Sequence, residues 1–185
     1  MDRRIIKTKT SIKKAMLLCL ASHYFSDITI DAICKEAQCS RSTFYAHYDN
    51  KKQVIDAISE EIIEQIRPYM KQTFEKPEEF MTVIDTLSSQ LYQPQKDVIK
   101  LLMDPEFRDF GLEAHLLTLF KEQFLQRFSH VKGRTILAEM YAACVLCNIQ
   151  SIVENRSTKE SQLAIETLKT TIFQVLEEQN QAKKN

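Results

Sequence analysis

The densest run of side chains able to do chemistry is SRSTFYAHY, positions 40–48. Arg41 carries a guanidinium fork that can bond guanine O6 and N7 together. Ser42, Thr43, Tyr45 and His47 carry hydroxyls and an imidazole, which bond phosphate oxygens, as does a helix N-terminus. Phe44 and Tyr48 stand four residues apart, so on a helix they share one face and leave the polar set on the others. Taken alone, the nine residues also fit an ordinary solvated surface helix. Other chemistries lack their parts. The only glycines, Gly111 and Gly133, are far apart, which excludes a GxGxxG or P-loop phosphate cradle; HExxH and a nucleophile elbow are absent too. Cys144 and Cys147 form one CxxC, but a structural zinc site needs a second pair of ligands. Small side chains packed between helices are its main reading, a redox pair the other. His115 reads as a surface or core histidine. No enzyme, cofactor or metal is expected.

Elements must hold that run in place. Ile30, Ile33, Cys34 and Ala37 fall at offsets 0, 3, 4 and 7, one stripe of a short helix. Thr29 is its N-cap, and Ile28 and Ile33 its hydrophobic staple. After a turn around 37–40, Ser40 caps a second short helix, with Cys39 and Phe44 at the staple positions. Two such helices joined by a tight turn make a helix-turn-helix, whose second helix enters the DNA major groove. Ile12, Ala15, Met16, Cys19 and Leu20 predict a preceding helix over about 9–24. Asn50 and Gln53 have capping-box spacing, opening a helix striped by Val54, Ala57, Ile58, Ile62, Ile66 and Tyr69. Pro68 is expected to kink it.

The rest is also helical in pattern. Pro77-Glu78-Glu79 and Asp104-Pro105-Glu106 read as first turns. Residues 107–128 carry an aromatic stripe, 135–153 are apolar on several faces, and Ser157 to Glu160 is a capping box before a last helix at 158–179. With 185 residues, two glycines and four prolines, there is too little turn chemistry for a many-stranded fold. The expected fold class is all-α: an N-terminal three-helix domain over 1–50, a connector at about 50–72, and a larger helical domain over 51–185. The formal charge is zero, yet residues 1–53 hold ten Lys/Arg against five Asp/Glu and the remainder fifteen against twenty. A basic first quarter points to a polyanion there alone. Lys7, Lys9, Lys13 and Lys14 either add to that attraction or form a solvated face. With no signal-like segment, no long uninterrupted apolar run and five cysteines, an odd number, the expectation is a cytoplasmic protein with free thiols and no membrane span.

Residues 12–58 resemble the DNA-binding domain of the tetracycline-repressor (TetR) family of bacterial transcription regulators. The resemblance runs through Ile12, Ala15 and Leu20, then Phe25, Ile28-Thr29-Ile30, Ile33 and Ala37, then the whole of 40–48 with its TFYxH stretch, then Asn50-Lys51 and Val54. It implies that Arg41 and Ser42 reach base edges, and that Ala46 lies on the groove side, where a methyl can meet thymine. It further implies phosphate contacts from Thr29, Thr43, Tyr45, His47 and Lys51, with Phe44 and Tyr48 in the core. Where the family commonly has Gly in the turn, this chain has Gln38. A left-handed Gln38 would cost about 1–2 kcal/mol.

The family resemblance also implies a C-terminal domain that binds a small effector and forms a homodimer on a palindromic operator. The chain is then a transcription regulator, by family default a repressor released by a small molecule. Candidates for the effector pocket are Met81, Met103, Phe107, Phe110, Phe120, Phe124, Met140 and Tyr141, though plain core packing accounts for most of them. Candidates for the dimer seam are Leu137, Met140, Cys144, Ile172, Val175 and Leu176. A helical adaptor that binds protein, not DNA, is the alternative; it leaves the charge split and the 40–48 run unexplained.

Overall fold

The computed structural model describes residues 3–76 and 79–181. Among them every regular element is helical: α1 (Arg3–Leu20), α2 (Ile30–Glu36), α3 (Arg41–Tyr45), α4 (Lys51–Glu75), α5 (Phe80–Leu87), α6 (Lys96–Leu102), α7 (Leu112–Arg127), α8 (Arg134–Val153) and α9 (Lys159–Gln181). Short 3₁₀ turns stand at Phe25–Asp27 and Pro105–Phe107, and α5 runs on into a π turn at Ser88–Tyr92. The chain divides into two compact units, one of Met1–Ile62 with Asp97–Ala114, the other of Ile63–Lys96 with His115–Asn185.

In the first unit, Ile12, Ala15 and Met16 of α1, Ile33 and Cys34 of α2, Phe44 of α3, Tyr48, and Val54, Ile55 and Ile58 of α4 are buried together with Phe25 and Ile28. The caps are those the sequence predicts. Thr29 Oγ1 accepts from the Ala32 N–H at 3.2 Å, Ser40 Oγ from Thr43 at 3.1 Å, and Asn50 Oδ1 from Gln53 at 3.1 Å. Gln53 reaches back to the Asp49 N–H at 2.8 Å. Helix α1 begins at Arg3, ahead of the expected start; its first residues are exposed, so no buried stripe marks those turns in the sequence. Phe25 meets Phe107 edge-on at 5.1 Å and Phe110 at 5.8 Å, so residues from later in the chain complete this core. The predicted aromatic helix over 107–128 is broken at Gly111. A Cβ there would stand 2.6 Å from Phe107 Cβ, and the Gly111 N–H bonds the Phe107 carbonyl, so the chain turns tightly before α7.

In the second unit, Phe124, Phe128, Val131, Ala138, Phe173 and Leu176 form a core cluster with Leu125, Leu137 and Tyr141 against it. Phe173 of α9 lies 5.2 Å from Phe128 and 5.7 Å from Tyr141, joining the inner faces of α7, α8 and α9. Arg127 and Glu177 add an ion pair at 2.6 Å. The Gln93 side chain donates to the Ile152 carbonyl and to Asn155 Oδ1, both at 3.2 Å. Helix α4 stays helical through Pro68; Ile66 and Met70 on either side are buried, and their packing holds the turns that proline weakens. The first-turn reading of Pro77 and Glu78 lies outside the described residues. Helix α8 is long and apolar enough to cross a membrane by length and composition alone, although Arg134, Glu139, Asn148 and Gln150 interrupt its apolar run. Its Ala138, Ala142, Leu146, Ile149, Ile152 and Val153 are buried.

Candidate nucleic-acid interface

The second helix of the pair, α3, is held from one side only. Phe44 is fully buried and packs edge-on against Tyr45 at 5.6 Å, with Tyr48 at 6.0 Å. Burial, then the nearby Glu61 carboxylate, push the Tyr48 hydroxyl up to about 12. Arg41, Ser42, Tyr45 and Ala46 are exposed, and Thr43 and His47 half-buried. The polar set therefore fans outward from an apolar anchor. At the cap, Ser40 Oγ lies 2.8 Å from both the Ser42 and Thr43 hydroxyls. Those hydroxyls are pre-aligned at the end of the helix where free N–H groups favour an anion.

Arg41 is tethered. Its Nη1 lies 3.3 Å from Asp31 Oδ2, on α2, and its guanidinium hydrogen-bonds the Tyr45 side chain. Both members of the ion pair are well exposed, so water and salt weaken it and a stronger partner can displace it. Asp31 was not singled out in the sequence; an acidic residue in the first turn of a helix ordinarily reads as a dipole partner.

Lys51, expected as a phosphate ligand, has its ammonium bonded within the head. Its ammonium donates to the carbonyls of Phe25 at 2.5 Å, Ser26 at 3.2 Å and Ile28 at 2.8 Å. It also lies 4.3 Å from the Phe25 ring centre. An ammonium has three N–H donors, and all three point into the turn between α1 and α2. Carbonyl partners leave no mark in a sequence, which is why this role was missed. Of the other basic residues, Lys13 pairs with Glu61, Lys9 stands 5.8 Å over the Tyr48 ring and Lys52 4.9 Å over Phe110. Thr29 is exposed at the N-cap of α2.

The pocket candidates divide between the two units. Met103, Phe107 and Phe110 belong to the first unit, and Phe120, Phe124, Met140 and Tyr141 to the second. Phe107 lines a groove of about 370 Å³ with Tyr24, Phe25, Leu101 and Asp104. Phe124 meets Tyr141 at 5.4 Å with the two rings tilted. Met140 is 60% exposed and lines no interior. The side chain of Met81 lies outside the described residues. The seam candidates divide too. Leu176 is buried and Leu137 packs against the same core cluster, because both point along the inner faces of their helices. Met140, Cys144, Ile172 and Val175 are exposed, joined by Ile136, Cys147, Leu163 and Leu168.

Comparison with known proteins agrees with the head's geometry. The family described as bacterial regulatory proteins, tetR family, matches residues 19–58, from the end of α1 through α2 and α3 into α4. A relative, the uncharacterised HTH-type transcriptional regulator YxbF of Bacillus subtilis (strain 168), is 36% identical over 58 residues. That match spans 31% of this chain and 15% of the relative. Residues 19–58 are thus a helix-turn-helix head of the kind found in the tetR family of bacterial regulatory proteins.

Proposed function

We propose that the protein is a cytoplasmic transcription regulator, a repressor that binds palindromic operator DNA as a homodimer and is released by a small-molecule effector. The observation that carries this reading is α3: a capped helix on a buried Phe44, presenting Arg41, Ser42 and Ala46 for base edges. Thr29, Thr43, Tyr45 and His47 flank them for phosphates. Lys51 positions this surface from behind in place of gripping a phosphate. The exposed apolar rows of α8 and α9 supply the surface for pairing. Effector release is the family's habit, and the clustered rings of Phe124, Tyr141 and Phe173 are apolar side chains that could part to receive the effector. Ligand and operator must then weaken each other by the same factor.

The test is binding of the full chain to duplexes from the DNA flanking its gene, read by fluorescence anisotropy over a salt series. An inverted repeat bound in preference to random duplex, with a steep salt dependence, supports the reading. Equal and weak binding to all duplexes, with capture of a protein partner, gives the field to the helical adaptor.

A further inference from the structure

Helix α2 ends in a left-handed cap, and two thiols make its closing contact. Gln38 has φ 53°. Its N–H bonds the Lys35 carbonyl at 3.2 Å, and the Cys39 N–H bonds the Cys34 carbonyl at 3.0 Å. These are the two bonds of a Schellman motif, in which the residue after the left-handed position packs on the one five before it. That contact is ordinarily apolar. Here the Cys34 thiol has the Cys39 sulfur as its neighbour. Cys34 is buried and Cys39 is half-buried. The next two residues are Ser40, which caps α3, and Arg41.

We propose that Cys34 and Cys39 are an oxidation site that closes into a disulfide under a hydroperoxide and displaces the N-terminus of α3. The loss of operator affinity rests on the function proposed above; the thiol chemistry does not. Cys39, the sulfur that solvent reaches, attacks the terminal oxygen of the hydroperoxide. The O–O bond breaks, an alcohol or water leaves with the proton, and Cys39 becomes a sulfenic acid. The Cys34 sulfur then attacks the Cys39 sulfur. The S–S bond forms, the S–O bond breaks, and the hydroxide leaves as water with the Cys34 proton. The two thiols give up two electrons and the peroxide takes them.

The order of attack follows from the surroundings. Burial first, then the neighbouring Cys39, push the Cys34 thiol up to about 11, which keeps it protonated and suits it to the second step. A disulfide requires the sulfurs to close to about 2.0 Å. Two free thiols stand farther apart than that, so the turn at 37–40 must tighten. Ser40 and Arg41 move with it.

The experiment treats the full chain with hydrogen peroxide, alkylates the remaining thiols, maps disulfides by mass spectrometry and measures duplex binding before oxidation, after it, and after added reductant. The expected result is a Cys34–Cys39 link and roughly tenfold weaker binding, the size of one lost bidentate base contact, with both reversed by reductant. Cys39→Ser should bind duplex as well as the reduced parent and should not respond to peroxide; Cys34→Ala, which leaves the half-buried Cys39 thiol, should form no such link. Cys34 and Cys39 still alkylated while Cys144 and Cys147 oxidise would overturn the site. A link that leaves duplex binding unchanged would overturn its consequence. A reduced protein that binds no duplex would instead sink the DNA reading, with the mapping still deciding the thiol pair.

Discussion

The ammonium of Lys51 lies 4.3 Å from the ring centre of Phe25 and donates a hydrogen bond to that residue's own carbonyl oxygen. With the Ser26 and Ile28 carbonyls as its other partners, one side chain from the start of α4 closes the turn between α1 and α2. Hydrogen bonds from a charged donor contribute about 1.5–3 kcal/mol each, and less where water competes, as at the exposed Ser26 contact. Lys51→Met should therefore destabilise the head by about 2–4 kcal/mol, seen as a lower Tm. The salt slope of DNA binding should stay close to that of the parent. A slope reduced by about one, with Tm unmoved, would restore Lys51 to the phosphate contacts.

Arg41 and Asp31 make the second test. In the free protein the guanidinium lies by Asp31 and Tyr45, an exposed arrangement that a phosphate or a base edge must compete with. Asp31→Ala frees it and removes a negative charge beside the groove. Affinity for random duplex should rise, and the ratio of operator to random binding should fall. Arg41→Ala should instead cost about 1–3 kcal/mol on the operator and relax one base position. An Asp31→Ala protein with an unchanged specificity ratio would show that the tether has no part in recognition.

Much of the head was legible because its signals are local. Thr29, Ser40 and Asn50 cap their helices as residue type and spacing indicate, and Phe44 and Tyr48 are buried as their four-residue spacing requires. What escaped reading depends on partners distant in sequence. Phe107 and Phe110 close on Phe25 only after the chain has returned to the first unit. The break before α7 comes from the contact of Gly111 with Phe107, which no periodicity marks. Leu176 and Val175 are neighbours in one apolar stripe, yet one is buried and the other exposed. A stripe shows which side of a helix is apolar but not whether this chain or another covers it.

Lys169 predicts a pH dependence in the second unit. Its ammonium is buried on α9, 3.3 Å from the Thr73 carbonyl and 5.2 Å from the Phe173 ring centre. Burial pulls it down to about 7, with Glu166 opposing. Below pH 7 both folded and unfolded chains carry the proton, and folding bears the whole cost of burying the charge. As pH rises through 7 the native state sheds its proton while the unfolded chain keeps it up to about 10.4. Stability from this group therefore rises between pH 7 and pH 10. Lys169→Met should raise Tm at pH 6 and flatten its rise toward pH 9. Parallel Tm profiles for parent and variant would show that Lys169 keeps its ordinary affinity for the proton.

The last test is the dimer. Among the described residues, Ile136 and Met140 on α8 and Leu163, Leu168, Ile172 and Val175 on α9 are large apolar side chains open to solvent. The inner faces of these helices are already used, since Tyr141 and Phe173 meet there. What remains is an outer apolar row on each helix. A two-fold pair would bury both rows with one patch, because a two-fold interface sets the same surface against itself. The need is functional as well. One short recognition helix reads few base pairs, and two heads on half-sites about 34–36 Å apart, or at a compatible spacing, multiply their affinities. Ile172→Glu places a charge in the proposed seam and touches none of the inner cluster. It should shift the protein from twice 21.6 kDa toward a monomer in sedimentation, abolish operator binding at nanomolar concentration, and leave the helical circular dichroism of the chain unchanged. Leu176→Ala, in the inner cluster, should behave oppositely: about 2–5 kcal/mol less stable but still a dimer below its Tm. A parent protein that sediments as a monomer and still holds its operator at nanomolar concentration would remove the pairing from the mechanism.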